Sequence, residues 1–246
     1  QQTDHLLLYC AAAIREPVEE TIAQYQQYCE EQHGRPIRIE VEYGGSGTLL
    51  SKLKVAGRGD LYLAGDDGYI ELAHEQGLVA EELKLAAMTP VIAVSPDHVG
   101  RIRSLDDLLA GDYRVAMGVV EGSAIGKATR QALQTAGAWE AFQSKVDVIK
   151  PTVSDLASDV KLGAADAAVV WDITARQHGL EFITDPALQA QSATVSIGVV
   201  SATHQPAAAL HFARFLASPE HGLANFKKHH FDVVAGDRWV DVPEVT

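Results

Sequence analysis

Two short stretches carry residue types suited to holding an anion. Gly44-Gly45-Ser46-Gly47-Thr48 and Gly122-Ser123-Ala124-Ile125-Gly126 each combine glycines with a serine where a strand pattern gives way to a helical one. A strand that delivers glycine and a hydroxyl to a helix start builds an anion seat. The first-turn N–H groups have no helical partner, the helix dipole adds partial positive charge, and glycine lets an oxyanion approach the backbone. Each serine can also be read as a helix cap, with the glycines only making the turn.

Other residues could add to such a site. Arg15 stands where the first strand turns into the first helix, and offers either a charge-assisted contact or an ion pair with Glu19. Trp171 closes the apolar run Ala167-Ala168-Val169-Val170-Trp171, as an indole N–H donor or as a core residue. Asp66, Asp67 and Asp172 each follow a strand and precede a helix, which is where N-caps belong; three such carboxylates would also suit a ferric or divalent cation. No Gly-x-Ser-x-Gly elbow, Walker lysine motif or His-Glu-x-x-His pair occurs, and the 122–127 stretch lacks P-loop spacing, so the chain does not read as an enzyme. His229-His230 reads as a surface feature.

These residues need elements to position them. The 246 residues have ordinary globular composition, 47% hydrophobic and 22% charged, and no apolar run approaches a membrane span. A net charge of −13 argues against nucleic acid or an anionic membrane as partner. The chain does not begin with Met, which fits an exported chain whose signal has been removed. Cys10 and Cys29 fall on a strand and about three turns along the next helix, too far apart to be bridged, and are expected as buried free thiols.

In order, the pattern gives a strand at 6–10, a helix at 17–33 with Gly34 as its C-cap, a strand at 37–43, a helix at 48–55, a strand at 60–64 and a helix at 69–76. Strands follow at 88–95, 114–118, 146–149, 167–171, 182–183 and 194–200. Helices fall at 104–109, from 123 to about 137, at 153–162, 206–217 and 219–229. The alternation is that of doubly wound α/β lobes, and two glycine–serine seats about 75 residues apart suggest one per lobe, with a cleft between them.

Three blocks in order, Tyr9-Cys10-Ala11-Ala12-Ala13-Ile14, Tyr43-Gly44-Gly45-Ser46-Gly47-Thr48-Leu49 and Gly59-Asp60-Leu61-Tyr62-Leu63-Ala64-Gly65-Asp66, resemble the periplasmic molybdate/tungstate-binding proteins of ABC importers. The likeness continues through Val91-Ile92-Ala93-Val94-Ser95-Pro96 and Ala168-Val169-Val170-Trp171 and covers nearly the whole chain. It implies a type II periplasmic binding protein: two α/β lobes, 1–87 plus 200–246 and 88–199, joined by a two-strand hinge and closing on a tetrahedral oxyanion. Sulfate-, phosphate- and ferric-ion-binding relatives share that architecture. The resemblance further implies a monomer outside the cytoplasm, free or lipid-anchored, that hands molybdate or tungstate to a membrane permease and needs no cofactor. That family holds its dianion with neutral donors. Carried over, they fall on Ala13, on Ser46 with Gly47 beside it, in Ser123-Ala124-Ile125, on Val153 and on Trp171. Ala13 and Trp171 depart from the family pattern, which has a serine and a tyrosine there, so the identity of the oxyanion stays open.

Overall fold

The computed structural model describes residues 4–241. The chain forms two compact units, Gln1–Ala87 with Thr194–Thr246, and Met88–Ala193. In order along the chain, the elements are β1 (Asp4–Ala11), α1 (Arg15–His33), β2 (Ile37–Gly44), α2 (Ser46–Ala56), β3 (Leu61–Ala64), α3 (Asp67–Glu75) and β4 (Val79–Met88). The second unit holds β5 (Pro90–Val94), α4 (Leu105–Ala110), β6 (Val115–Gly118), α5 (Ala124–Thr135), α6 (Trp139–Gln143), β7 (Val146–Lys150), α7 (Val153–Lys161), β8 (Ala167–Trp171), α8 (Asp172–Gln177), β9 (Glu181–Ile183) and α9 (Pro186–Gln189). The chain then returns through β10 (Ala193–Val200), α10 (Pro206–Leu216), α11 (Gly222–Lys228) and β11 (Asp232–Val233).

The two sheets share a plan. The first has the order β11-β4-β10-β3-β1-β2 and the second β7-β6-β8-β5-β9. In the first, β2, β1 and β3 are parallel and β10 joins β3 antiparallel. In the second, β7, β6 and β8 are parallel and β5 joins β8 antiparallel. Read strand by strand, β1 corresponds to β6, β2 to β7, β3 to β8, β10 to β5 and β4 to β9. The sheets are therefore mixed rather than wholly parallel, because each unit receives one strand that the other unit's chain segment leads into. β10 pairs with β3 over Ser196–Val199, which places residues 194–199 in the first unit rather than the second.

The apolar patterns act as periodicity requires. β3, β5 and β8 are buried at every position, as continuous apolar strands covered on both faces must be. Along α1, Val18, Ile22, Tyr25 and Cys29 are buried, each side chain contributing on the order of 1–3 kcal/mol. Gly34 ends that helix at φ 60°, its N–H bonded to Glu30 O, a conformation glycine adopts without a Cβ penalty. Cys10 and Cys29 are buried free thiols. β4 is the element that the sequence pattern hides, since Glu81, Glu82 and Lys84 break its alternation. His229 is not a bare surface residue: it pairs with Glu16 and Glu20 of α1.

The two parallel trios are locked by the same device. Asp60, just before β3, accepts the Leu7 N–H through its carboxylate (2.7 Å) and donates its own N–H to Leu7 O (2.9 Å). Asp166, just before β8, accepts the Arg114 N–H (2.9 Å) and donates to Arg114 O (2.8 Å). Burial pushes the Asp166 carboxyl up, but the hydrogen bonds and charge of Arg114 outweigh it and hold the group below the usual carboxylate range. A depressed folded-state value stabilises the fold above the unfolded value, near 3.9, and that stabilisation is lost as pH falls through the folded value. Asp166→Asn should therefore cost on the order of 1–3 kcal/mol at neutral pH. The gap from wild type should narrow below about pH 4, as measured by urea unfolding across pH.

Candidate functional site

Ser46 is not the cap of α2. Gly45 holds the N-cap position, with no side-chain cap bond, and Ser46 is the first helical residue. Its hydroxyl is buried and accepts the Gly65 N–H from the end of β3 (3.1 Å), while its carbonyl accepts the Tyr62 hydroxyl (2.8 Å). One lone pair of Oγ is thus occupied, and the hydroxyl proton has no acceptor among the described residues. The first helical bond runs from Leu49 N to Gly45 O, so the N–H groups of Ser46 and Gly47 precede the ladder. This start presents one hydroxyl donor beside two backbone donors.

Ser123 has the opposite arrangement. It is the N-cap of α5: its hydroxyl accepts the Gly126 N–H (3.1 Å) and donates to Val119 O (2.8 Å), and its own N–H donates to Val119 O (3.0 Å). Both of its donors are spent within the turn, and the N–H groups that precede the ladder are those of Ala124 and Ile125. At α7, Thr152 is the cap, accepting from Asp155 N and donating to its carboxylate (2.6 Å), and Val153 is the first helical residue. Trp171 ends β8 opposite Pro90 with a buried indole.

The remaining candidates are placed as follows. Ala13 sits in a single 3-10 turn, Ala12–Ile14, between β1 and α1. Arg15 follows it, its guanidinium 4.0 Å from the centre of the Tyr43 ring and 3.9 Å from Glu19. The Tyr43 hydroxyl beneath is enclosed without a hydrogen bond of regular geometry, and burial raises it well above the usual tyrosine range. Asp66 occupies the N-cap of α3 without a side-chain cap bond, and Asp67 is the first residue of that helix. Asp172 is likewise the first residue of α8 rather than its cap. It ties down Thr89, accepting its N–H (3.1 Å) and donating to its carbonyl (2.8 Å). Among the described residues, the His, Cys, Asp and Glu side chains that converge are His33, His211 and Asp241, not these three aspartates.

The strand correspondence changes which starts are partners. α1 follows β1 as α5 follows β6, and α2 follows β2 as α7 follows β7. Ser46 therefore answers to Val153, and Ser123 to the Ala13 turn; the two glycine–serine stretches look alike but do not hold equivalent places. In each unit the starts lie at the carboxyl ends of the parallel strands, where open α/β sheets bind ligands. None of these residues lines the groove of about 680 Å³ in the first unit, which Glu81, Lys84, Arg214, Arg238 and Trp239 help to form. Sequence reading missed the Gly65 N–H that orients Ser46. A turn glycine directly after a buried strand was the only signal of it.

Fold and helix starts together define a two-unit α/β protein with neutral donors at its strand ends. Residues 6–232 match the model of the bacterial extracellular solute-binding protein family, and the chain belongs to that family. A binding protein of Haemophilus influenzae is 29% identical over 235 residues, 94% of this chain and 91% of that one. An ABC transporter substrate-binding lipoprotein of Bacillus subtilis is 24% identical, over 92% of this chain and 85% of its own. In fold, the chain is similar to the periplasmic molybdate-binding protein of Azotobacter vinelandii (TM-score 0.72, 20% identity, 92% and 98% of the two chains). It is also similar to a sulfate-binding protein of Mycobacterium tuberculosis (TM-score 0.71, 15% identity, 94% and 88%). The fold is that of type II periplasmic binding proteins, and its family makes the chain a solute-binding protein rather than an enzyme.

Gly126 offers a test of how tightly one start is built. A Cβ there would lie 2.6 Å from Gly118 O and would also overlap Val119 O. Alanine's helix propensity would favour Gly126→Ala by about 1 kcal/mol. The clash with fixed backbone should reverse the sign and lower the melting temperature by several degrees, about 2–4 °C per kcal/mol.

Proposed function

We propose that this protein binds a tetrahedral oxyanion, with molybdate or tungstate as its ligand, and delivers it to the permease of an ABC importer. The observation that carries the reading is the bonding of Ser46. Its oxygen is engaged by Gly65 N–H, so the buried hydroxyl is oriented to donate, beside the free first-turn N–H groups of Ser46 and Gly47. In the second unit, the starts of α5 and α7 carry backbone donors of the same kind, on Ala124, Ile125 and Val153.

Donors of this kind suit a fully deprotonated dianion. Every ligand oxygen can accept, whereas a protonated anion brings an O–H that would find no acceptor, at a cost of about 1–3 kcal/mol. The similarity to a molybdate-binding protein supports the choice of ion, and the sulfate-binding neighbour supports the oxyanion class. Ala13 and Trp171 replace two side-chain donors of that family. A site that relies this far on backbone N–H groups reads size and charge more than individual side-chain contacts, and sulfate is the second reading on that account.

The test is a melting panel with molybdate, tungstate, sulfate, phosphate and arsenate. Molybdate or tungstate at 100 times its dissociation constant should stabilise the protein by about 2.7 kcal/mol, a shift of several degrees. Ser46→Ala should lower the unliganded melting temperature slightly, because Gly65 N–H loses its acceptor, and remove most of the ligand-dependent shift. A shift with sulfate alone would replace the ion and keep the class. Melting curves unmoved by all five anions would overturn the reading.

A further inference from the structure

Three side chains far apart in sequence meet on the first unit, and none of them belongs to the helix starts. His33 ends α1, His211 lies in α10, and Asp241 belongs to the segment after β11. His33 Nε2 is 3.3 Å from one carboxylate oxygen of Asp241, and His211 Nε2 is 3.2 Å from the other. One ligand atom from each residue lies within 4.8 Å of those from the other two. A tetrahedral ion with bonds of about 2.0–2.1 Å spaces its ligand atoms by roughly 3.3 Å. Each imidazole lies at that spacing from a different Asp241 oxygen, so one edge has the required length whichever oxygen binds, and the others lie within 4.8 Å. The side chains keep 29%, 16% and 30% of their surface, enough for an ion to enter and to retain water.

Two of these ligands, His211 and Asp241, are backed by hydrogen-bonded groups as metal ligands commonly are. The Tyr25 hydroxyl lies 2.7 Å from His211 Nδ1, and the Tyr28 hydroxyl donates to Asp241 (2.6 Å). Tyr25 is itself held by edge contacts with Phe212 and Phe215. Trp239 stands edge-on to His211 at 4.8 Å between ring centres and to Tyr28 at 6.0 Å. A fixed partner on the second imidazole nitrogen sets both ring orientation and tautomer. A histidine that only neutralised Asp241 would need no such partner.

We infer that His33, His211 and Asp241 form a site for a divalent transition-metal ion of the zinc type. Two imidazole nitrogens and one carboxylate oxygen suit zinc, cobalt or nickel and disfavour calcium and magnesium, which take oxygen ligands. In the loaded site His211 presents its Nε2 lone pair to the ion, and its Nδ1–H donates to the Tyr25 oxygen. The ion ties the segment after β11 to α1 and α10 and stabilises the first unit. It shares no ligand with the helix starts, so it binds whether or not an oxyanion does.

Untagged protein, stripped with a chelator and dialysed, is titrated with Zn²⁺ by calorimetry, and with Co²⁺ while the visible spectrum is recorded. The expected result is stoichiometric binding, a rise in melting temperature with Zn²⁺, and a Co²⁺ spectrum of low coordination number. His33→Gln and Asp241→Asn should each weaken Zn²⁺ binding by about tenfold or more. Ser46→Ala should leave it unchanged, which separates this site from oxyanion binding. His33→Gln alters an exposed helix end, and its far-UV circular dichroism shows that it is folded. The inference is overturned if the stripped wild-type protein takes up neither ion, or if both variants bind Zn²⁺ as the wild type does.

Discussion

Each unit depends on the register of three parallel strands, and an aspartate sets that register. Asp60 and Asp166 stand in the same place, one residue before the third strand of their trio. Each closes a two-bond ring on the backbone of the first strand or its lead-in: Asp60 on Leu7, inside β1, and Asp166 on Arg114, just before β6. A slip by one residue would break the ring and shift the pairing of the trio out of register. With the amino ends pinned, the carboxyl ends fall level, and the helices that follow start side by side. The donors at the helix starts are a consequence of that alignment, and the backbone supplies most of them.

Much of this could be read from the residues. The βα alternation, the apolar strands and the inner stripe of α1 all follow from periods of 2 and 3.6, which local burial enforces. Gly34 announced the end of α1 through the one conformation that favours it. β4 could not be read, because a charged strand with Glu81, Glu82 and Lys84 shows neither period. The same limit applied to function. The glycine–serine likeness of residues 44–48 and 122–126 suggested equivalent seats, but equivalence is a property of strand order, and strand order brings together residues with no common spacing. His33, His211 and Asp241 show the limit in full: 178 and 30 residues separate them, so no motif could announce them.

The correspondence between the units also explains why one serine keeps its hydroxyl proton unengaged among the described residues and the other does not. At α2 the cap position is glycine, so Ser46 falls one residue later, inside the helix, where its oxygen meets Gly65 N–H from the next strand. At α5 the serine is itself the cap, and the geometry of a cap consumes the hydroxyl: it accepts from Gly126 and donates back to Val119. A one-residue offset thus decides whether a hydroxyl is available to a ligand. Neither outcome is visible in composition, since both stretches offer glycine, serine and a helix start.

Backbone donors carry an advantage that side chains lack. The N–H groups of Ala124 and Ile125 are fixed by the helix they begin, and Gly126 lets that helix press against the carbonyls of Gly118 and Val119 so closely that no Cβ fits. On the proposed reading nothing must reorganise when an anion arrives, and little entropy is lost in ordering donors that are already ordered. The protein as a whole carries a net charge of −13, which opposes any anion at long range. Salt screens such a field over about 8–10 Å, whereas dipoles in contact with the ligand are hardly screened. An acidic protein can therefore hold an anion without a single cation in the seat, provided its donors are as rigid as these.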